Sequence, residues 1–83
     1  MEGNIRLLIV SPEGTVADTQ VVSVTLPGVV SPFQVLKNHA PMITSLEPGR
    51  ITWLSTDGEP GAAAIRSGFV RILDNRVFVC MEP

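Results

Sequence analysis

The run Thr15-Val16-Ala17-Asp18-Thr19-Gln20-Val21-Val22-Ser23-Val24-Thr25-Leu26 decides the fold class. It is one of only two stretches free of glycine and proline that are long enough for an ordinary helix, the other being 69–82. Thr15, Val16, Thr19, Val21, Val22, Val24 and Thr25 are β-branched, and such side chains lose χ1 freedom in a helix but pack well on a pleated surface. No apolar stripe of period 3.6 runs through the segment. Instead Val22, Val24 and Leu26 alternate with Ser23 and Thr25, which predicts a strand with the three apolar residues on one face. The second run is divided by Asp74-Asn75, a pair suited to a tight turn, and reads as two strands rather than a helix.

Outward from these two runs, seven glycines and seven prolines cut the remaining sequence into short pieces. The expected strands are 5–10, 15–18, 21–26, 33–36, 42–46, 50–55, 62–66, 69–73 and 76–81. Ile5–Val10 and Arg76–Met81 are nearly apolar on both faces, as strands buried between two layers would be. Pro12-Glu13-Gly14, Pro27-Gly28, Glu47-Pro48-Gly49 and Asp57-Gly58 supply turn chemistry, with each glycine expected at positive φ. Short strands separated by turns at this spacing predict an all-β fold, a flattened antiparallel β-sandwich or barrel of about nine to ten short strands. The whole chain, 1–83, reads as one such domain with no C-terminal helical domain.

Composition removes several function classes. Six Lys and Arg against eight Asp and Glu give a net charge of −2, with Lys37 the single lysine, so there is no basic field for nucleic acid phosphates. The longest apolar runs, Val77–Met81 followed by Leu7–Val10 and Ala62–Ile65, are far short of the ~20 residues that cross a bilayer. The start Met1-Glu2-Gly3-Asn4-Ile5 is acidic where a signal peptide is basic. One cysteine, Cys80, allows no internal disulfide. The size scaling of folded chains gives roughly 4,800 Å² of accessible surface, which leaves a small core that would gain from a docking partner.

Catalytic and metal-binding constellations are absent from the spacing. The only histidine, His39, reads as a loop residue that caps backbone or meets a partner. With one Cys and one His, no zinc ligand set assembles. Cys80 lies in an apolar strand as a small hydrophobe, and Glu13, Glu47 and Asp57 fall in turns as solvated caps. No phosphate-cradling glycine loop occurs. The reading is therefore no catalytic residue, no metal and no cofactor. The unusual connector is Pro27-Gly28-Val29-Val30-Ser31-Pro32-Phe33, where Val29 and Val30 are apolar in a segment that turn chemistry puts on the surface, a hint of partner contact.

Taken as ordered motifs, the chain resembles the N-terminal β-sandwich of the epsilon subunit of F-type ATP synthases. The matching residues are Leu7-Leu8-Ile9-Val10-Ser11-Pro12-Glu13, Val24-Thr25-Leu26-Pro27-Gly28, Phe33-Gln34-Val35-Leu36-Lys37-Asn38-His39-Ala40-Pro41-Met42-Ile43-Thr44, Leu46-Glu47-Pro48-Gly49, Ser67-Gly68-Phe69-Val70 and Asn75-Arg76-Val77-Phe78-Val79. The long block around Asn38-His39-Ala40-Pro41 followed by Leu46-Glu47-Pro48-Gly49 is the specific part. The resemblance implies a non-catalytic central-stalk subunit that binds the gamma subunit and the c-ring and couples proton translocation to ATP synthesis. By the same resemblance His39, Ala40, Pro41, Met42 and Thr44 face gamma, and Gly28, Val29, Val30, Ser31 and Pro32 face the c-ring. The loop departs from the family, whose members usually carry an acidic residue and further glycines where Val29-Val30-Ser31-Pro32 stands. Family members commonly continue into a pair of inhibitory helices, so the expectation for a sequence ending at Pro83 is a short form without that hairpin. The implied location is peripheral, on the cytoplasmic face of a bacterial inner membrane or the equivalent side of an organellar coupling membrane, reached only through the complex. No small-molecule ligand is expected. The alternative reading is a free-standing small-ligand or carbohydrate-binding β-sandwich with Trp53 as its aromatic platform. A hydrolase using His39 is set aside for want of partners at a telling spacing.

Overall fold

The computed structural model describes residues 4–83; the acidic start Met1-Glu2-Gly3 lies outside the described residues. Eight strands follow in order: β1 (Ile5–Ser11), β2 (Gly14–Leu26), β3 (Phe33–Val35), β4 (Met42–Leu46), β5 (Gly49–Ser55), β6 (Pro60–Ile65), β7 (Ser67–Leu73) and β8 (Arg76–Glu82). They form one mixed sheet in the order β4-β7-β8-β1-β2-β5-β6, with β3 paired to β2. All neighbours run antiparallel except β1 and β8, which pair in parallel from Arg6↔Arg76 to Val10↔Cys80. The all-β class stands, with eight strands rather than nine or ten.

The count falls because the two strands expected over 15–18 and 21–26 are one. Gly14–Leu26 is a continuous strand of 13 residues that pairs with β1 at its start and with β5 at its end. Its register against β5 shifts between Val21 and Ser23. Such an irregularity bends a strand and resets which side chains face inward. Here Val21, Val24 and Leu26 are buried and Val22 is exposed, so the strict alternation of Val22, Val24 and Leu26 expected from sequence fails at the bulge. The bend carries β2 from one layer of the sandwich to the other.

One face of the curled sheet is enclosed. Ile5, Leu7, Ile9, Val21, Val24, Leu26, Ile51, Val70 and Val79 are fully buried, and Phe33, Met42, Ala17 and Trp53 pack against them. The seam closes where the connector after β2 meets the end of β4. Gly28 and Leu46 form a bridge, and the Glu47 N–H donates to the Pro27 carbonyl at 2.8 Å. The total accessible surface is 4931 Å², close to the size scaling.

Two of the expected glycine conformations hold. Gly14 has φ 132° and Gly58 has φ 90°. Gly28 and Gly49 do not adopt positive φ; they are glycines because of close approach. A Cβ on Gly28 would lie 2.7 Å from the Ser31 carbonyl oxygen, and one on Gly49 would lie 3.0 Å from Pro27 Cβ. The Asp74-Asn75 turn is as expected: both residues have positive φ, 52° and 60°, and Leu73 pairs with Arg76 across a two-residue hairpin.

Candidate functional site

The outer surface of β4-β7-β8-β1 carries an apolar stripe that the core does not use. Strand register sets its rows. Ile43 lies opposite Arg71, Arg71 opposite Phe78 and Phe78 opposite Leu8. In the next row Ser45 lies opposite Phe69, Phe69 opposite Cys80 and Cys80 opposite Val10. Ile43 is 72% exposed and Phe69 45%; Leu8, Val10, Phe78 and Cys80 are half-buried. Sequence reading took Ile5–Val10 and Arg76–Met81 as covered on both faces. The structure corrects this, since only Ile5, Leu7, Ile9, Val77, Val79 and Met81 are buried. Arg6 and Arg76 at alternate positions, with Arg71 likewise in β7, were the signal that this face is an outer one.

Two hollows lie along the stripe. One, of about 260 Å³, is lined by Leu8, Leu73 and Phe78 together with the arginines at 6, 71 and 76 and Asp74. The other, of about 360 Å³, is lined by Val10, Phe69, Cys80 and Met81 among others. The Arg71 guanidinium carbon stands 5.8 Å from the centroid of the Phe78 ring, a cation–π arrangement. Arg6 is held by Asp18 across the β1–β2 pair, with Nη2 2.6 Å from Oδ1.

His39 sits in the loop that enters β4, and that loop is clamped by the β7–β8 turn beside it. The Asn38 N–H donates to Asn75 Oδ1 at 2.6 Å, and Asn75 Nδ2 donates to Asn38 Oδ1 at 3.2 Å. The Asn75 carbonyl also accepts from the Arg6 N–H at 3.0 Å. Asn38 itself has φ 67°, a conformation that asparagine tolerates better than most residues. The His39 Nδ1 lies 2.7 Å from the Ala40 carbonyl oxygen, which can only accept, so Nδ1 carries the proton. Its expected role as a backbone cap is thus met. Ala40 and Pro41 are exposed beside it. The asparagine clamp was missed from sequence because its partners are 37 positions apart and neither residue type signals the other.

The connector Gly28–Pro32 is a surface loop, as expected, with Val30 98% exposed and Val29 55%. Its residues Gly28, Val29, Val30 and Ser31 share a cleft of about 230 Å³ with Phe33, Met42 and Thr44. Residues that the resemblance divided between two partners therefore meet in one place. Pro32 is exposed at the end of the loop, and His39, Ala40 and Pro41 do not line the cleft.

Trp53 is not set up as a ligand platform. It pairs with Gly61 across β5 and β6 and packs on the core, and a Cβ on Gly61 would collide with the indole atoms Cε2, Nε1 and Cζ2. The ring therefore covers the glycine backbone, an arrangement that protects a bare strand position. In the β5–β6 turn, the Ser55 hydroxyl donates to the Asp57 carboxylate and the Glu59 N–H reaches Asp57 Oδ1 at 3.3 Å. These two donors hold the Asp57 carboxyl below its ordinary value, the Ser55 hydroxyl contributing most.

Among the described residues no polar side chain is buried, and no group of His, Cys, Asp and Glu converges as a metal site. The arrangement offers shape, apolar area and a few arginines, which is the chemistry of docking. Comparison with known proteins agrees in kind. The family model described as ATP synthase, Delta/Epsilon chain, beta-sandwich domain matches residues 4–82. The ATP synthase epsilon chain of Anaeromyxobacter sp. (strain K) is 44% identical over 78 residues, covering 94% of this chain and 58% of the relative. That of Desulfosudis oleivorans is 38% identical over 82 residues, covering 99% of this chain and 62% of the relative. The chain thus spans about three-fifths of the length of these curated relatives. A chain in the Euglena gracilis mitochondrial ATP synthase OSCP/F1/c-ring structure superposes with a TM-score of 0.89 at 20% identity, covering 96% of this chain and 51% of that one. One in the Tetrahymena thermophila mitochondrial ATP synthase central stalk/c-ring structure gives 0.80 at 13% identity, covering 95% and 63%. At those identities the structural likeness speaks for the fold.

Proposed function

The chain belongs to the ATP synthase delta/epsilon chain β-sandwich family, and on that premise we propose that it serves as a non-catalytic element of the synthase rotor. In this reading it grips the gamma subunit and stands against the c-ring, so that ion flow through the membrane sector is coupled to ATP synthesis in the catalytic head. The observation that carries the reading is the apolar stripe on the outside of a domain whose core is already complete, with Ile43 and Phe69 exposed and Leu8, Val10 and Phe78 half-buried beside them. Contiguous exposed apolar surface of this kind marks an interaction face. The gamma-facing region takes in this stripe with His39, Ala40 and Pro41 beside its β4 edge, and Met42 and Thr44 around that edge, on the side of β4 opposite Ile43. The c-ring side takes in Gly28, Val29, Val30, Ser31 and Pro32. Because Met42 and Thr44 share a cleft with the loop, the two contacts run together at that edge.

The mechanism asks for stiffness and grip. Three hairpin turns with positive-φ residues, the asparagine clamp and the seam at Gly28 and Leu46 limit how far the loops can yield under torque. Docking also stabilises the small domain by mass action. The place of action is peripheral, on the face of the coupling membrane that bears the catalytic head. The test is reconstitution of the synthase in liposomes with and without this chain. Proton-driven ATP synthesis is expected to fall sharply when it is left out; unchanged coupling counts against the reading.

A further inference from the structure

Within the apolar stripe one residue is out of character. Arg71 occupies the centre of the row Ile43–Arg71–Phe78–Leu8, flanked on both sides by apolar neighbours. Its guanidinium is stacked over Phe78, which orients the charge across the apolar floor of the hollow beside it. Arg6 and Arg76 line the same hollow, so three of the six basic residues in the sequence gather there against one acid, Asp74, although the chain as a whole is acidic. Arg6 already has Asp18 as its partner.

A partner that covers Phe78 and Leu8 cannot avoid covering Arg71. Taking a guanidinium out of water without a counter-charge is expensive, whereas a carboxylate meeting it in bidentate geometry restores the lost hydrogen bonds. A purely apolar partner would therefore bind against a penalty centred on its own contact. We propose that the segment docking on this stripe carries a carboxylate that lies over Arg71, with further acidic groups toward Arg76 and apolar side chains over Phe78, Leu8 and Phe69. The stripe is polarised: its arginine end selects the acidic end of the partner and so fixes which way round that partner sits. This rests on the stripe being the stalk-docking face, and it adds the partner's chemistry and orientation.

The experiment measures affinity of the purified gamma subunit of the same synthase for wild-type chain, Arg71→Met, Arg71→Lys and Phe69→Asp. Arg71→Met keeps the length and apolar stem and removes the charge. Under the proposal it weakens binding about tenfold and flattens the salt dependence, while Arg71→Lys stays within about threefold of wild type. If no carboxylate faces Arg71, Arg71→Met removes a desolvation penalty and binds gamma as well as wild type or better, which overturns the proposal. Phe69→Asp separates the two levels: a loss there with full binding by Arg71→Met leaves the docking face standing and removes the carboxylate. Wild-type binding by Phe69→Asp removes the face itself, and the proposal with it. Arg71 is exposed, and far-UV circular dichroism verifies that each variant is folded; if Arg71→Met is not, Arg71→Gln poses the same question.

Discussion

The two layers of the sandwich share one core and differ on the outside. The outer surface of β4-β7-β8-β1 presents Ile43, Phe69, Phe78, Leu8 and Val10, punctuated by arginine. The outer surface of the other layer reads Gln34, Thr25, Thr52 and Ala62 across one row, with Arg50 opposite Ala64 in another. Apart from Leu54, 41% exposed between Ser23 and Pro60, its residues are small or polar, as a solvated sheet face should be. Both layers fill the core with Val, Ile and Leu at alternate positions, so folding makes the same demand of each. The difference outside points to a second demand that only one layer meets, which the proposed docking would supply.

The sharpest way to break this contrast is to place the same charge on each face. Phe69→Asp should weaken association with the stalk by about a hundredfold, ~2.8 kcal/mol. Thr52→Asp on the opposite face should leave affinity within about twofold. Titration calorimetry with gamma gives both numbers. Equal losses from the two variants would mean that the faces do not differ in function.

How much of this could be read in advance depends on whether the signal was local. Strand positions followed from β-branched content and turn residues, and the Asp74-Asn75 hairpin from its two residues alone. In the second layer Arg50 and Thr52 alternate with Ile51 and Trp53 in β5, but β6, Pro60-Gly61-Ala62-Ala63-Ala64-Ile65, carries no polar residue to mark its outer side. The first layer was harder. Leu8, Val10, Phe78 and Cys80 are as apolar as the buried residues between them, so residue type does not tell an outer docking face from an inner one. Only Arg6, Arg71 and Arg76 gave it away. The bulge at Val22 was invisible because it arises where β2 exchanges one partner for another. The candidate contacts around His39 and Gly28 came from resemblance; that Met42 and Thr44 share a cleft with the loop needed the fold.

A second variant probes the inner side of the polar-faced layer. Gly61→Ala drives a methyl into the Trp53 indole, and the ring has the core behind it. The expected cost is about 2 kcal/mol, read as a lower urea midpoint with an unchanged slope. Stalk affinity of the folded protein should stay near wild type, since the damage is remote from the stripe. A loss of affinity as large as that of Phe69→Asp would tie the two layers together mechanically.

On the apolar-faced layer the counterpart is Asn75→Ala. It removes both hydrogen bonds to Asn38 and places a residue with a Cβ and no side-chain compensation at φ 60°. The expected cost is about 1–2 kcal/mol. Its distinctive mark is faster amide exchange at the Asn38 N–H, with β5 and β6 protected as before.

The smallest effect separates the two hairpins. The β7–β8 turn holds its shape by backbone conformation at Asp74 and Asn75. The β5–β6 turn depends on a charged cap, the Asp57 carboxylate accepting from Ser55 and Glu59. Because folding lowers the Asp57 pKa, the unfolded chain binds its proton more readily. The stabilisation is complete above the ordinary carboxylate range and is lost as pH falls through the lower folded value. Asp57→Asn should therefore lower the melting temperature slightly at neutral pH, and the difference should shrink as the pH falls through the lowered folded value and the wild-type cap becomes protonated. Melting curves of the two proteins that converge on acidification would show the cap at work. Curves that stay parallel across the range would mean that the turn is held by Gly58 and its backbone bonds alone, as the opposite hairpin is by its own.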